Sequence, residues 1–88
     1  MKLSEERRDA VERVIRDRFV GKVQHVEMES SVGESGEEVL LIRVHFARDT
    51  TARDFSGKFF GLTGRVKTVM GEELEGVFPV IRPMEAHA

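Results

Sequence analysis

The segment Glu38–Ala47 alternates more strictly than any other part of the chain. Leu40, Ile42, Val44 and Phe46 form a wholly apolar set, and Val39, Leu41, Arg43 and His45 form a mixed one. Side chains of an extended strand point alternately to opposite faces, so this segment has one face that must be covered and one that tolerates water. A sheet of that kind requires a second layer on one side only. In a chain of 88 residues the cover has to come from one or two helices, which confines the fold to a small two-layer α+β domain.

A second alternating run precedes it. In Lys22–Ser30, Gln24, Val26 and Met28 share one face, and Val23, His25, Glu27 and Glu29 share the other. The intervening Ser31-Val32-Gly33-Glu34-Ser35-Gly36-Glu37 is rich in turn formers, so the two runs are expected to form a long antiparallel hairpin. If Ser31 faces Val39, Glu27 faces Arg43 and His25 faces His45. That register brings opposite charges together and is the one expected.

Two helices supply the cover. Ser4 is placed to cap the first, with Glu5 and Glu6 in its opening turn, where the helix dipole favours acids. Val11, Val14, Ile15 and Phe19 follow at helical spacing, Glu12 and Arg16 form an i,i+4 pair, and Gly21 is a stop. The second helix is expected to start at Thr50 or Thr51. It carries Phe55, Phe59, Leu62, Val66 and Val69 as one unbroken apolar stripe, and ends at Gly71. Val77-Phe78-Pro79-Val80-Ile81-Arg82 reads as a last strand, at an edge or bulged because Pro79 cannot donate to a ladder, and Pro83 is expected to stop it. The expected architecture is therefore a two-layer sandwich of order α-β-β-α-β, with two helices on one face of a three-stranded sheet. Residues 1–83 form a single domain and 84–88 a mobile tail.

Composition removes several function classes. The chain has no cysteine, so thiolate catalysis, disulfides and cysteine-based metal centres are excluded. It has no Trp or Tyr, and its net charge of −2 gives no general attraction to phosphate backbones. No apolar run is long enough for a membrane span and no secretory signal is visible, so a cytoplasmic protein with no membrane partner is expected. No serine stands at a telling distance from a histidine, and no carboxylate pair is forced into one pocket. A non-enzymatic chain without cofactor or metal is the reading that follows. His25, His45 and Glu27 are the one set resembling metal ligands, but a third ligand is not assured and the face is a solvated one.

Charge is distributed unevenly. Residues 21–38 hold one lysine against five glutamates, a local −4, whereas residues 52–70 hold four basic residues against Asp54, a local +3. Within that basic segment Gly57, Gly61 and Gly64 recur on the side of the helix opposite the apolar stripe. Each costs about 1 kcal/mol relative to Ala in a helix interior, so a helix side stripped of side chains suggests close approach by another backbone. Gly57, Lys58, Gly61, Gly64 and Arg65 are accordingly the expected protein-binding residues, for a partner or a second copy of the chain. The exposed edge of the sheet is the next candidate.

Two resemblances add to this. Gly61-Leu62-Thr63-Gly64, with Lys58, Arg65 and Lys67 around it, is similar to the GXXG loop of KH nucleic-acid-binding domains, and the element order resembles the type II KH arrangement. Leu62 departs from the small, polar or basic residues common there. The resemblance implies single-stranded nucleic-acid binding through Lys58, Gly61, Gly64, Arg65 and Lys67, with residues 61–64 as a loop between two helices. More broadly, Glu37-Glu38-Val39-Leu40-Leu41-Ile42-Arg43-Val44, then Ser56-Gly57 through Leu62-Thr63-Gly64-Arg65-Val66, then Phe78-Pro79-Val80-Ile81, resemble small uncharacterised bacterial α+β proteins. Such proteins are sometimes encoded beside small helical HEPN-type proteins. That resemblance implies an accessory or antitoxin-like role for a bacterial protein-binding domain.

Overall fold

A computed structural model describes residues 3–51, 53 and 57–84. The elements run α1 (Glu5–Arg18), β1 (Val23–Val32), β2 (Glu38–Phe46), α2 (Leu62–Met70), a 3₁₀ turn (Glu72–Leu74) and β3 (Val77–Met84). Their order, α-β-β-α-β, and the α+β class are those the patterning predicts. Among the described residues no helix is long and apolar enough to cross a membrane.

Ser4 caps α1, its hydroxyl accepting from the Arg7 N–H at 3.2 Å, and Glu12 and Arg16 pair at 2.7 Å. β1 and β2 are antiparallel in the expected register, with Ser31 opposite Val39, Glu27 opposite Arg43 and His25 opposite His45. Their connection is tight. Gly36 N–H donates to Gly33 O, Gly33 N–H donates to Glu37 O, and Gly36 adopts a φ of 84°. A turn of this form followed by a left-handed residue is one of the preferred hairpin closures, and the left-handed position favours glycine.

At its far end the hairpin differs from the simple alternation. The register shifts between Val23 and His25, so that Val23 stands opposite Phe46. Gln24 is the extra residue of a bulge. The bulge turns Val23, rather than Gln24, toward the core, and Val23 packs against it while Gln24 is exposed.

β2 is the central strand, with β1 antiparallel on one side and β3 parallel on the other. Pro79 thus lies in an edge strand, as its missing N–H requires. Pro83 does not end β3, which continues to Met84 opposite His45. An edge strand tolerates a second proline because one of its sides has no ladder to serve. Of the expected tail, residues 85–88 lie outside the described residues.

The core joins Val11, Ile15 and Phe19 of the α1 region, Val26, Leu40, Ile42, Val44 and Phe46 of the hairpin, Leu62, Val66 and Met70 of α2, and Val77. Both helices therefore cover one face of the sheet. They run antiparallel, as two arginines show. Arg7, near the start of α1, donates to Val69 O at 3.0 Å near the end of α2, and Arg18, at the end of α1, donates to the chain just before α2.

The second helix is not continuous. Residues 57–61 form a turn, and α2 begins only at Leu62. Gly57 and Gly61 have φ of 74° and 72°, a left-handed conformation incompatible with the interior of a right-handed helix. Asp54, Phe55 and Ser56, which belong to the expected stripe and first turn, lie outside the described residues. The rest of the stripe still points inward. Leu62 and Val66 are buried, and Phe59 and Val69 are partly buried against the core.

Candidate functional site

The break at 57–61 rearranges the expected contact surface. Gly57 and Gly61 occupy a turn, so no bare glycine side of a long helix exists. Of the three glycines only Gly64 lies in α2, where it is exposed with open space around it. Gly61 is the N-cap of α2 and makes no side-chain capping bond. The expected four-residue loop is also absent as such, because Leu62, Thr63 and Gly64 form the first turn of α2 and Leu62 is fully buried. Lys58 and Arg65 are exposed and stand on either side of Gly61. Lys67 is partly buried, its ammonium 5.2 Å from the centre of the Phe78 ring.

The turn itself is well anchored. Arg18 Nη1 donates to both Lys58 O and Phe60 O, each at 3.1 Å. Phe60 N–H donates to Gly57 O at 3.3 Å, and Leu62 N–H to Phe59 O at 3.2 Å. The Phe59 ring lies 5.0 Å from that of Phe19, which in turn meets Phe46 edge-to-face at 5.1 Å. Phe59 thus ties the turn to the core, and its neighbour Phe60 is left 87% exposed. Val20, which follows Phe19, is 77% exposed. Val20 and Phe60 thus each follow, in the chain, one member of the Phe19–Phe59 contact, and both are exposed. The periodicity distinguishes Phe60 only in one respect: it falls off the apolar stripe, between Gly57 and Gly61.

The open face of the sheet carries the ionic groups. The His25 and His45 rings are 5.6 Å apart. Glu27 hydrogen-bonds His45 Nε2, and Arg43 pairs with Glu29 at 3.0 Å. The residues opposite one another are those expected, but the side-chain pairs form diagonally. Among the described residues no group of three potential ligands is placed to hold a metal ion, and no polar or charged residue is buried. A depression of about 470 Å³ beside α2 is lined by Gly64, Lys67, Thr68, Gly71, Glu72 and Glu75. Two carboxylates against one ammonium make it a poor receptor for phosphate.

Comparison with known protein families, with curated proteins and with solved structures finds no match to this chain.

Proposed function

We propose that this chain is a non-enzymatic protein-binding domain whose contact surface is an apolar tip centred on Phe60, with Val20, Lys58 and Arg65 around it. The observation that carries the reading is the exposure of Phe60 on an anchored turn. Isolated exposed apolar residues are ordinary. A phenylalanine held outward by backbone hydrogen bonds on both sides is a different case. It forgoes about 1.5–3 kcal/mol of burial, and it would lose little conformational freedom on docking. Aromatic anchors presented in this way concentrate binding energy at protein interfaces. The tip would act by masking a partner sterically, with Lys58 and Arg65 favouring an acidic rim. An accessory or antitoxin-like role, implied by the resemblance to the small bacterial proteins encoded beside HEPN-type proteins, would use such a surface.

The test compares wild type with Phe60→Ser by affinity capture from the source cell and by light scattering across concentration. Wild type is expected to retain a partner, or to self-associate, and Phe60→Ser to lose that association while unfolding like wild type. Identical captured proteins and identical masses for both chains would overturn the proposal.

One observation favours a second reading, single-stranded nucleic-acid binding over residues 58–67. The turn at 57–61, immediately before α2, exposes a lysine and an aromatic ring, the combination that backbone clamping and base stacking use. Affinity for mixed RNA and DNA oligomers that falls with salt would support it, and absence of binding at low salt would remove it.

A further inference from the structure

The two edges of the sheet are unlike. Pro79 and Pro83 lie four residues apart in β3, at the same parity as Ile81. Backbone polar groups of one parity point to the same side of a strand, and proline is accommodated where that side is free. The outer edge of β3 therefore offers only the Val77 and Ile81 N–H groups, the second of them between two blocked positions. β1 has no such protection. It runs for ten residues without a proline.

Which β1 groups face outward follows from the hairpin closure. The Gly33 N–H···Glu37 O bond makes 33 and 37 a hydrogen-bonded pair. In an antiparallel ladder such pairs alternate, so 31–39, 29–41, 27–43 and 25–45 are bonded to β2 as well. The backbone N–H and C=O groups of Val26, Met28, Ser30 and Val32 then point away from the sheet. Arg16 Nη1 occupies Val23 O at 3.2 Å, so the open stretch begins after the bulge.

We infer that the outer edge of β1 is a docking site for an extended segment of another protein that alternates basic and apolar residues, added as a fourth strand. The side chains along this edge specify both halves of the alternation. Glu27 and Glu29 are exposed on the open face, each with one carboxylate oxygen on its β2 partner, His45 or Arg43, and the other left to meet an added strand, and Glu34, Glu37 and Glu38 continue the acidic character around the hairpin end. Residues of an added strand lie roughly 4.5–5.5 Å from their neighbours, close enough for basic side chains to interact with Glu27 and Glu29. On the helix side, the partly buried Met28 shares its face with Val32, so the alternate positions of an added strand meet apolar side chains there. Val32, 69% exposed, extends the apolar side toward the hairpin end. A second copy of β1 fits less well, since pairing centred on residues 27–29 sets glutamates of the two copies against one another. The edge is separate from the Phe60 tip and stands independently of it.

The probe is a ten-residue peptide of alternating lysine and valine, added in excess to the ¹⁵N-labelled full chain at low salt. Hydrogen exchange is expected to slow at the amides of Val26, Met28, Ser30 and Val32. That protection should be lost with an alternating glutamate–valine peptide and with a lysine–valine peptide N-methylated at alternate residues. Ser30→Pro should abolish it too, since the substitution blocks the edge at an outward-facing N–H. Because the N-methylated peptide is used on the unaltered chain, the test stands even if Ser30→Pro does not fold. The inference is overturned if the lysine peptide leaves those four amides unprotected. It is equally overturned if either control peptide protects them as well, or if they are already protected by self-association without peptide.

Discussion

Gly71→Ala is expected to destabilise the fold through two separate costs. Gly71 joins α2 to the 3₁₀ turn with φ 83° and ψ 173°, a region essentially restricted to glycine, where another residue costs on the order of 1–3 kcal/mol. In addition, a Cβ at this position would lie 2.7 Å from Arg7 Nη1 and 3.0 Å from Arg7 Cζ. The guanidinium is the far end of a flexible side chain and can move aside. In doing so it abandons the 3.0 Å bond to Val69 O that ties the start of α1 to the end of α2. A charge-assisted bond in a half-buried setting contributes about 1–2 kcal/mol. Together the costs come to about 2–5 kcal/mol, a large share of the 5–15 kcal/mol typical of a whole domain. Urea unfolding of wild type, Gly71→Ala, Arg7→Ala and the double variant measures each part. With Arg7 truncated the methyl group has room, so the double variant should be less destabilised than the sum of the singles by about 1–2 kcal/mol. A Gly71→Ala variant within about 0.5 kcal/mol of wild type, or strictly additive singles, would refute the reasoning.

Two further variants address the turn and the buried start of α2. Arg18→Met retains the aliphatic stem but removes both bonds to the turn. It should cost about 1–2 kcal/mol and speed hydrogen exchange at the Phe60 and Leu62 amides, and unchanged exchange there would show that Arg18 does not hold the turn. Leu62→Ala empties a fully buried position and should cost about 2–5 kcal/mol in urea unfolding, whereas a residue of an exposed loop would cost almost nothing.

Much of the fold was legible because it rests on short-range rules. The alternation of Leu40, Ile42, Val44 and Phe46 marks the covered side of β2, and charge matching selects the register that places Glu27 opposite Arg43. Pro79 limits its strand to an edge or a bulge, and the strand lies at an edge. The break at 57–61 was hidden because Phe59, Leu62, Val66 and Val69 keep helical phase across it. A turn flanked by Gly57 and Gly61 returns the chain to the core on the same side, and glycines four residues apart suit a bare helix side as well as two left-handed corners. Gly61→Leu, which a continuous helix would make a clean probe of association, instead imposes a left-handed φ on leucine at about 1–2 kcal/mol. The bulge at Gln24 was equally hidden, since it is a feature of how the start of β1 pairs with the end of β2. So was the exposure of Phe60, which depends on the turn.

The parallel pairing of β2 with β3 also bears on the order in which the chain acquires its structure. β2 can join β1 as soon as the hairpin has left the ribosome, whereas its opposite side waits for residue 77 and beyond. Bringing Val77 back alongside Glu38 closes a long excursion that includes α2, at an entropic cost of about 3 kcal/mol. Until then a nascent chain displays Leu40, Ile42 and Val44 on a strand with one bare side, the state in which small sheets are most prone to pair with strangers. Synthesis halted before β3 should therefore yield a sticky hairpin rather than a smaller version of the domain.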